Sequence, residues 1–134
     1  MKNWRRYEIL LPLRFNDGKR IPRTLLAQSV LDLENRFGGV SSETQIIHGR
    51  WRSKATSYRD DLVRVYVDAE GTAEVEEFFI EFKQKLKARF EQLEIWVTSM
   101  KFVFYKLPGC YPLGRTFHVN ASRMIATMVQ ARTA

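Results

Sequence analysis

Cysteine is almost missing from this chain. Cys110 is the one thiol in 134 residues, so no internal disulfide forms and no cysteine metal cluster exists. Histidine is scarce too: His48 and His118 are too few and too far apart to read as a metal site. No run of 18 apolar residues occurs, so no transmembrane helix and no membrane partner are expected. The apolar stretch behind the basic start (Lys2, Arg5, Arg6) is only Ile9-Leu10-Leu11 before Pro12. That is too short for the apolar stretch of a signal peptide, and the expected location is the cytoplasm. Gly38-Gly39 lacks the lysine and the glycine spacing of a phosphate-binding loop. There is no zinc motif and no Gly-x-Ser-x-Gly elbow. No cofactor is expected.

Acidic residues are missing from one stretch in particular. Residues 95–134 carry five Lys/Arg and no acid, and residues 1–23 also hold a net +5. Residues 24–71 sum to −1 and residues 72–94 to −2, so the overall +7 sits at the two ends of the chain. Such a balance fits a basic but otherwise ordinary domain, and it also fits an anionic partner such as nucleic acid. With 45% hydrophobic and 13% aromatic residues, the chain has material for one sizeable core.

Hydrophobic periodicity supplies the elements. Tyr7, Ile9, Leu11, Leu13 and Phe15 alternate, predicting a strand over about Trp4–Phe15. Leu10 and Arg14 point to its other face, and Pro12 must sit at a bulge or an unpaired position. Asn16-Asp17-Gly18 signals a turn. Pro22 suits the first position of a helix that runs to about Phe37 and ends at Gly38-Gly39. Leu26, Val30, Leu33 and Phe37 form its apolar stripe. A second strand is expected at about Thr44–Arg52, a polar turn at Ser53–Ser57 and a third strand at about Tyr58–Val67.

Thr72 is a natural N-cap for a second helix running to about Leu93. Val75, Phe78, Phe79, Phe82, Leu86, Phe90 and Leu93 lie on its apolar stripe, and Phe78, Phe82, Leu86 and Phe90 are expected to be buried against the sheet. Its acids lie early and its bases late, as the helix dipole favours. Ile95 to about Tyr105 reads as one long last strand with an interruption at Thr98-Ser99. Residues 108–134 form a basic tail, helical over Ser122–Thr133, with Met124, Ile125, Met128 and Val129 on one side.

Strand, helix, strand, strand, helix, strand packs economically as two helices on one face of a four-stranded antiparallel sheet. This is the α+β, ferredoxin-like βαββαβ arrangement, predicted for residues 1–107. Right-handed crossovers place the first and third strands in the middle.

Three groups of residues bear on chemistry. Cys110 and His118 share the tail but have no third group to orient them. Asp60 and Asp61 are adjacent carboxylates, and a pair of this kind can share a proton or hold a divalent metal. Neighbours on a strand point to opposite faces, so these two should not converge. Basic and aromatic residues interleave at Trp4-Arg5-Arg6-Tyr7, Arg50-Trp51-Arg52 and Arg64-Val65-Tyr66, a pattern suited to stacking bases and gripping phosphates. The Lys/Arg-Gly-aromatic-Gly/Ala-Phe run of RNA-recognition sheets is absent.

The run Tyr7-Glu-Ile-Leu-Leu-Pro-Leu-Arg-Phe-Asn-Asp-Gly18 resembles the start of a family of small bacterial proteins of unknown function. Gly49-Arg-Trp51, Tyr58–Leu62, Phe78–Lys83, Leu86–Gln92 and Ile95-Trp96 extend the likeness over roughly residues 4–105. More distantly it is similar to secreted families with a Gly-x-Trp motif in a split βαββαβ domain. The resemblance implies that fold and a bacterial origin, and it carries no activity.

The leading expectation is a non-enzymatic binding or assembly module that forms a homodimer, because a sheet with helices on one side leaves its other face open. The candidate interaction surface comprises Leu10, Arg14, Arg50, Trp51, Arg64, Tyr66, Met124 and Met128. One alternative is a nucleic-acid-binding protein or a small nuclease of a defence or toxin system. Another is a dimeric α+β barrel enzyme with a small-molecule pocket.

Overall fold

The computed structural model describes residues 2–105. The expected tail helix, with Met124 and Met128, and the Cys110–His118 pair lie outside the described residues. The order of elements is β1 (Trp4–Pro12), α1 (Arg23–Phe37), β2 (Ser41–Ser42), β3 (Ile47–Ser53), β4 (Thr56–Glu70), α2 (Ala73–Arg89) and β5 (Val97–Lys101). This is a ferredoxin-like α+β fold. All strand pairings are antiparallel, and β1 and β4 occupy the middle of the sheet.

Among the described residues the sheet has five strands rather than the expected four, but they run in four lanes. β2 and β3 both pair with β4: Ser42 faces Val65, the Glu43 N–H donates to the Arg64 carbonyl, and Ile47 faces Leu62. Residues 44–46 are therefore crowded opposite Val63 alone. They bulge out of the ladder and split the strand expected at Thr44–Arg52 into two pieces.

Pro12 sits where its chemistry allows. The Leu13 N–H donates to the Asp61 carbonyl, so odd positions of β1 bond toward β4, and the Leu10 N–H donates to the Trp96 carbonyl on the other side. The missing N–H of Pro12 thus faces past the start of β5, where no ladder bond is lost.

The core lies between the sheet and both helices. Tyr7, Ile9 and Leu11 alternate inward from β1, opposite Val67, Val65 and Val63 of β4, and all six are buried. α1 brings Val30 and Leu33 to this layer, and α2 brings Val75, Phe79, Phe82 and Leu86. Phe90 and Ile95 close it. Phe78 differs from expectation. It is half-buried and meets Phe37 edge-on at 5.1 Å, while Phe79 takes the central place and stacks on Tyr7 at 4.1 Å.

The helix ends follow local chemistry. Thr72 caps α2 by accepting from the Val75 N–H at 3.3 Å. Gly38 ends α1 with φ of 77°, a conformation that favours glycine. Pro22 is the cap residue just before α1 rather than its first residue. α2 stops at Arg89, short of the expected Leu93, where Glu91 turns left-handed at φ of 51°.

A polar clamp joins the two helices. Arg89 of α2 donates to Asp32 of α1 and to the Ser29 hydroxyl, each at 2.8 Å, and Gln28 donates to the same carboxylate at 2.9 Å. Burial works to raise the Asp32 pKa. The bonds from Arg89 and Gln28 and the nearby Lys85 outweigh it, so the carboxyl ionises below its ordinary value.

Candidate interaction surface

Antiparallel partners share a face, so the register defines what the sheet shows on the side away from the helices. From β1 these are Trp4, Arg6, Glu8, Leu10 and Pro12. They face Glu70, Asp68, Tyr66, Arg64 and Leu62 of β4. On the β5 side, Glu8 faces Thr98 and Arg6 faces Met100. The Leu10 N–H to Trp96 carbonyl bond and the Phe102 N–H to Trp4 carbonyl bond carry Trp96 and Phe102 onto the same face.

The middle of this face is an ionic lattice. Arg6 forms a two-pronged pair with Asp68 at 2.8 and 2.9 Å, and its guanidinium lies over the Tyr66 ring at 4.3 Å. The hydrogen bond to Asp68 raises the Arg6 pKa further still, so its charge is fixed. Arg64 contacts Glu43 at 3.0 Å and Glu8 at 3.6 Å. Its Nε–H is buried and has no hydrogen-bond acceptor among the described residues.

The β5 side is apolar instead. Trp4 packs against Phe102 and Phe104 with ring centroids 6.4 Å apart in each case. Trp96 is 63% exposed, Met100 51% and Phe104 58%. These residues make an apolar stripe along the sheet edge. The outward N–H and C=O groups of Val97, Ser99 and Lys101 have no strand beside them among the described residues.

The expected surface residues divide into three places. Leu10, Arg64 and Tyr66 come together on the open face, with Leu10 directly opposite Arg64. Trp51 lies out on the β3–β4 hairpin, half-buried against the Tyr58 ring at 4.3 Å. Its indole N–H donates to Asp60. A Cβ at Gly49 would stand 3.2 Å from Leu62 Cδ1, a tight contact that the Leu62 side chain would have to relieve. Arg50 is on the opposite face of that hairpin, across from Arg59. Arg14 sits in the turn after β1, bonded to the Gly18 carbonyl at 3.0 Å and 3.7 Å from Asp61.

Asp60 and Asp61 do point to opposite faces, one to Trp51 and the other to His48 at 2.8 Å and to Arg14. Among the described residues no three His, Cys, Asp or Glu side chains gather as metal ligands.

The stripe of Trp96, Met100, Phe102 and Phe104 escaped the sequence reading. Two apolar runs, Ile95–Val97 and Phe102–Tyr105, read as one core strand. The regular strand covers only Val97–Lys101, so Thr98 and Ser99 lie inside it, paired with Glu8 and Tyr7, rather than interrupting it. Of the two apolar runs just Ile95 is fully buried. The usable signal was that even positions are bulky as well as odd ones. An edge strand with apolar residues on both sides has something to cover on both sides.

No protein-family model matches the chain, and no curated protein matches it. Solved structures do. A phage SAM lyase in complex with S-methyl-5'-thioadenosine is 12% identical, over 79% of this chain and 95% of that one, with a TM-score of 0.56. The divalent cation tolerance protein CutA1 of Thermus thermophilus is 11% identical over 77% and 87%, with a TM-score of 0.53. CutA1 of Ehrlichia chaffeensis is 7% identical over 79% and 87%, with a TM-score of 0.51. At these identities the likeness is one of fold, and it is to small α+β proteins with two helices on one face of an antiparallel sheet.

Proposed function

We propose that the chain is a binding module that acts as a homodimer, with the β5 edge and the apolar stripe beside it as the contact between copies. One observation carries the reading: Trp96, Met100 and Phe104 are each more than half exposed, beside a sheet edge whose outward main-chain groups have no strand next to them among the described residues. A lone apolar residue on a surface is ordinary, whereas several along one open edge mark a contact. Two β5 edges meeting antiparallel about a two-fold axis would satisfy their outward N–H and C=O groups in pairs. They would also bring the two stripes together. The nuclease and barrel-enzyme readings have no comparable support.

Light scattering on the size-exclusion peak tests it. The full chain should run at twice its 15.8 kDa mass at micromolar concentration. The Trp96→Glu/Met100→Lys variant should run as a monomer with an unchanged far-ultraviolet spectrum, because both positions are already exposed. A monomeric wild type at 100-fold higher concentration refutes the reading.

A further inference from the structure

The β3–β4 hairpin reaches past the rest of the sheet. The β1–β4 ladder ends where Pro12 faces Leu62, yet β3 and β4 stay paired down to Ser53 and Thr56. Residues 47–61 therefore make a two-stranded ribbon with no β1 beside its outer half. One face of the ribbon is occupied by its own residues, with Trp51 stacked on Tyr58 and tied to Asp60.

The other face carries His48, Arg50 and Arg52 from β3, opposite Asp61, Arg59 and Ser57 from β4. Asp61 is already engaged by His48 and Arg14. Arg50 and Arg59 stand directly opposite each other, both exposed. Even positions of β4 bond toward the β2–β3 lane, as the Glu43 N–H to Arg64 carbonyl bond shows. Arg50–Arg59 is thus a non-hydrogen-bonded pair, the site in an antiparallel ladder where side chains are closest. Like charges placed there oppose folding. None of Arg50, Arg59, Arg52 and the turn residue Lys54 has an ion pair or hydrogen bond from its side chain among the described residues.

We infer that this face of the hairpin grips the phosphodiester backbone of a nucleic acid, with Arg50 and Arg59 astride one phosphate and Arg52 and Lys54 on its neighbours. A planar guanidinium offers phosphate two parallel donors, and a phosphate supplies the counter-charge that the repulsion of two facing guanidiniums calls for. Successive arginines on one strand face are roughly 7 Å apart, close to the through-space separation of adjacent phosphates along one nucleic-acid strand. A two-stranded ribbon also has the size that a duplex groove admits. The formal charge of +7 favours the encounter. This inference does not rest on the dimer reading, since the hairpin and the β5 edge lie on opposite sides of the sheet.

Fluorescence anisotropy with the full chain tests it, using a labelled 20-base-pair DNA duplex and a single strand of the same length at 50–200 mM salt. Binding should weaken as salt rises. Arg50→Thr/Arg59→Thr should lose at least about tenfold in affinity at 50 mM, and its log–log salt slope should shrink by about 2. Lys2→Gln/Lys87→Gln, with the same change of net charge, should stay within threefold of wild type. The ratio of duplex to single-strand affinity identifies which form supplies the backbone. The inference fails if neither DNA binds at 50 mM, if the arginine variant binds like wild type, or if the lysine variant loses as much. Misfolding is separated by Arg59→Glu, which gives Arg50 a partner. It should raise the thermal midpoint of the free protein while abolishing binding.

Discussion

Removing the Asp32 carboxylate should loosen the two helices from each other. Arg89 and Asp32 are 2.8 Å apart, and their side chains are only 13% and 18% exposed. Breaking a fully buried pair from one side costs about 3–5 kcal/mol, because the other charge is left without water or partner. Here some solvent remains, and Arg89 keeps its bond to Ser29, so Asp32→Ala should cost about 2 kcal/mol. Arg89→Ala should cost about the same, since it strips the main donor from Asp32 but leaves Lys85 at 3.6 Å. The double variant should fall short of the sum by about 1–2 kcal/mol, the coupling of two groups in contact. Urea denaturation at pH 7 reads all three. The pair also predicts a pH dependence. A carboxyl with a lowered folded pKa adds stability that is fully present above its unfolded pKa and is lost as pH falls through the folded one. The wild-type urea midpoint should thus drop below about pH 4 more steeply than that of Asp32→Asn. Coupling below about 0.5 kcal/mol, or equal acid slopes, would refute the claim that this pair holds α1 to α2.

Phe82→Ala should cost about 3–5 kcal/mol in the same assay, because the ring is buried between helix and sheet; a loss under about 1 kcal/mol would mean the site collapses freely. Thr72→Ala should cost about 1 kcal/mol and raise amide exchange in the first turn of α2 more than elsewhere, as expected of a lost cap.

How much of this was legible in the sequence varies with the physics involved. β1 and β4 alternate cleanly because one face of each is buried and the other is not, and the structure keeps that register from Tyr7–Val67 to Leu11–Val63. Gly38 and Thr72 announce their caps because each satisfies backbone groups at a helix end that few residues satisfy as well. The broken lane of β2 and β3 was not legible. Three residues opposite Val63 alone is a fact about two chain segments in register, and neither segment records it alone. That Phe79 goes deeper than Phe78 was not legible for a similar reason: both lie on the apolar stripe of α2, and only the position of Tyr7 and Phe37 decides which ring is buried and which is half-buried. Within the candidate surface, Leu10, Arg64 and Tyr66 followed from alternation. The opposition of Arg50 and Arg59 required the hairpin turn to be placed at Lys54-Ala55 rather than spread over Ser53–Ser57.

The Tyr7 phenol sets how the protein meets alkali. Its hydroxyl donates to Glu76 at 2.8 Å, and burial first, then this bond and the Glu76 charge, push its pKa up to about 12. A phenol released by unfolding ionises near 10. The raised folded value means that Tyr7 supports the fold fully below about pH 10 and that this support drains away as the pH climbs toward about 12. Unfolding above pH 10 therefore releases a proton from Tyr7, and the growth of phenolate absorbance would report the departure of β1 from α2 at the centre of the core.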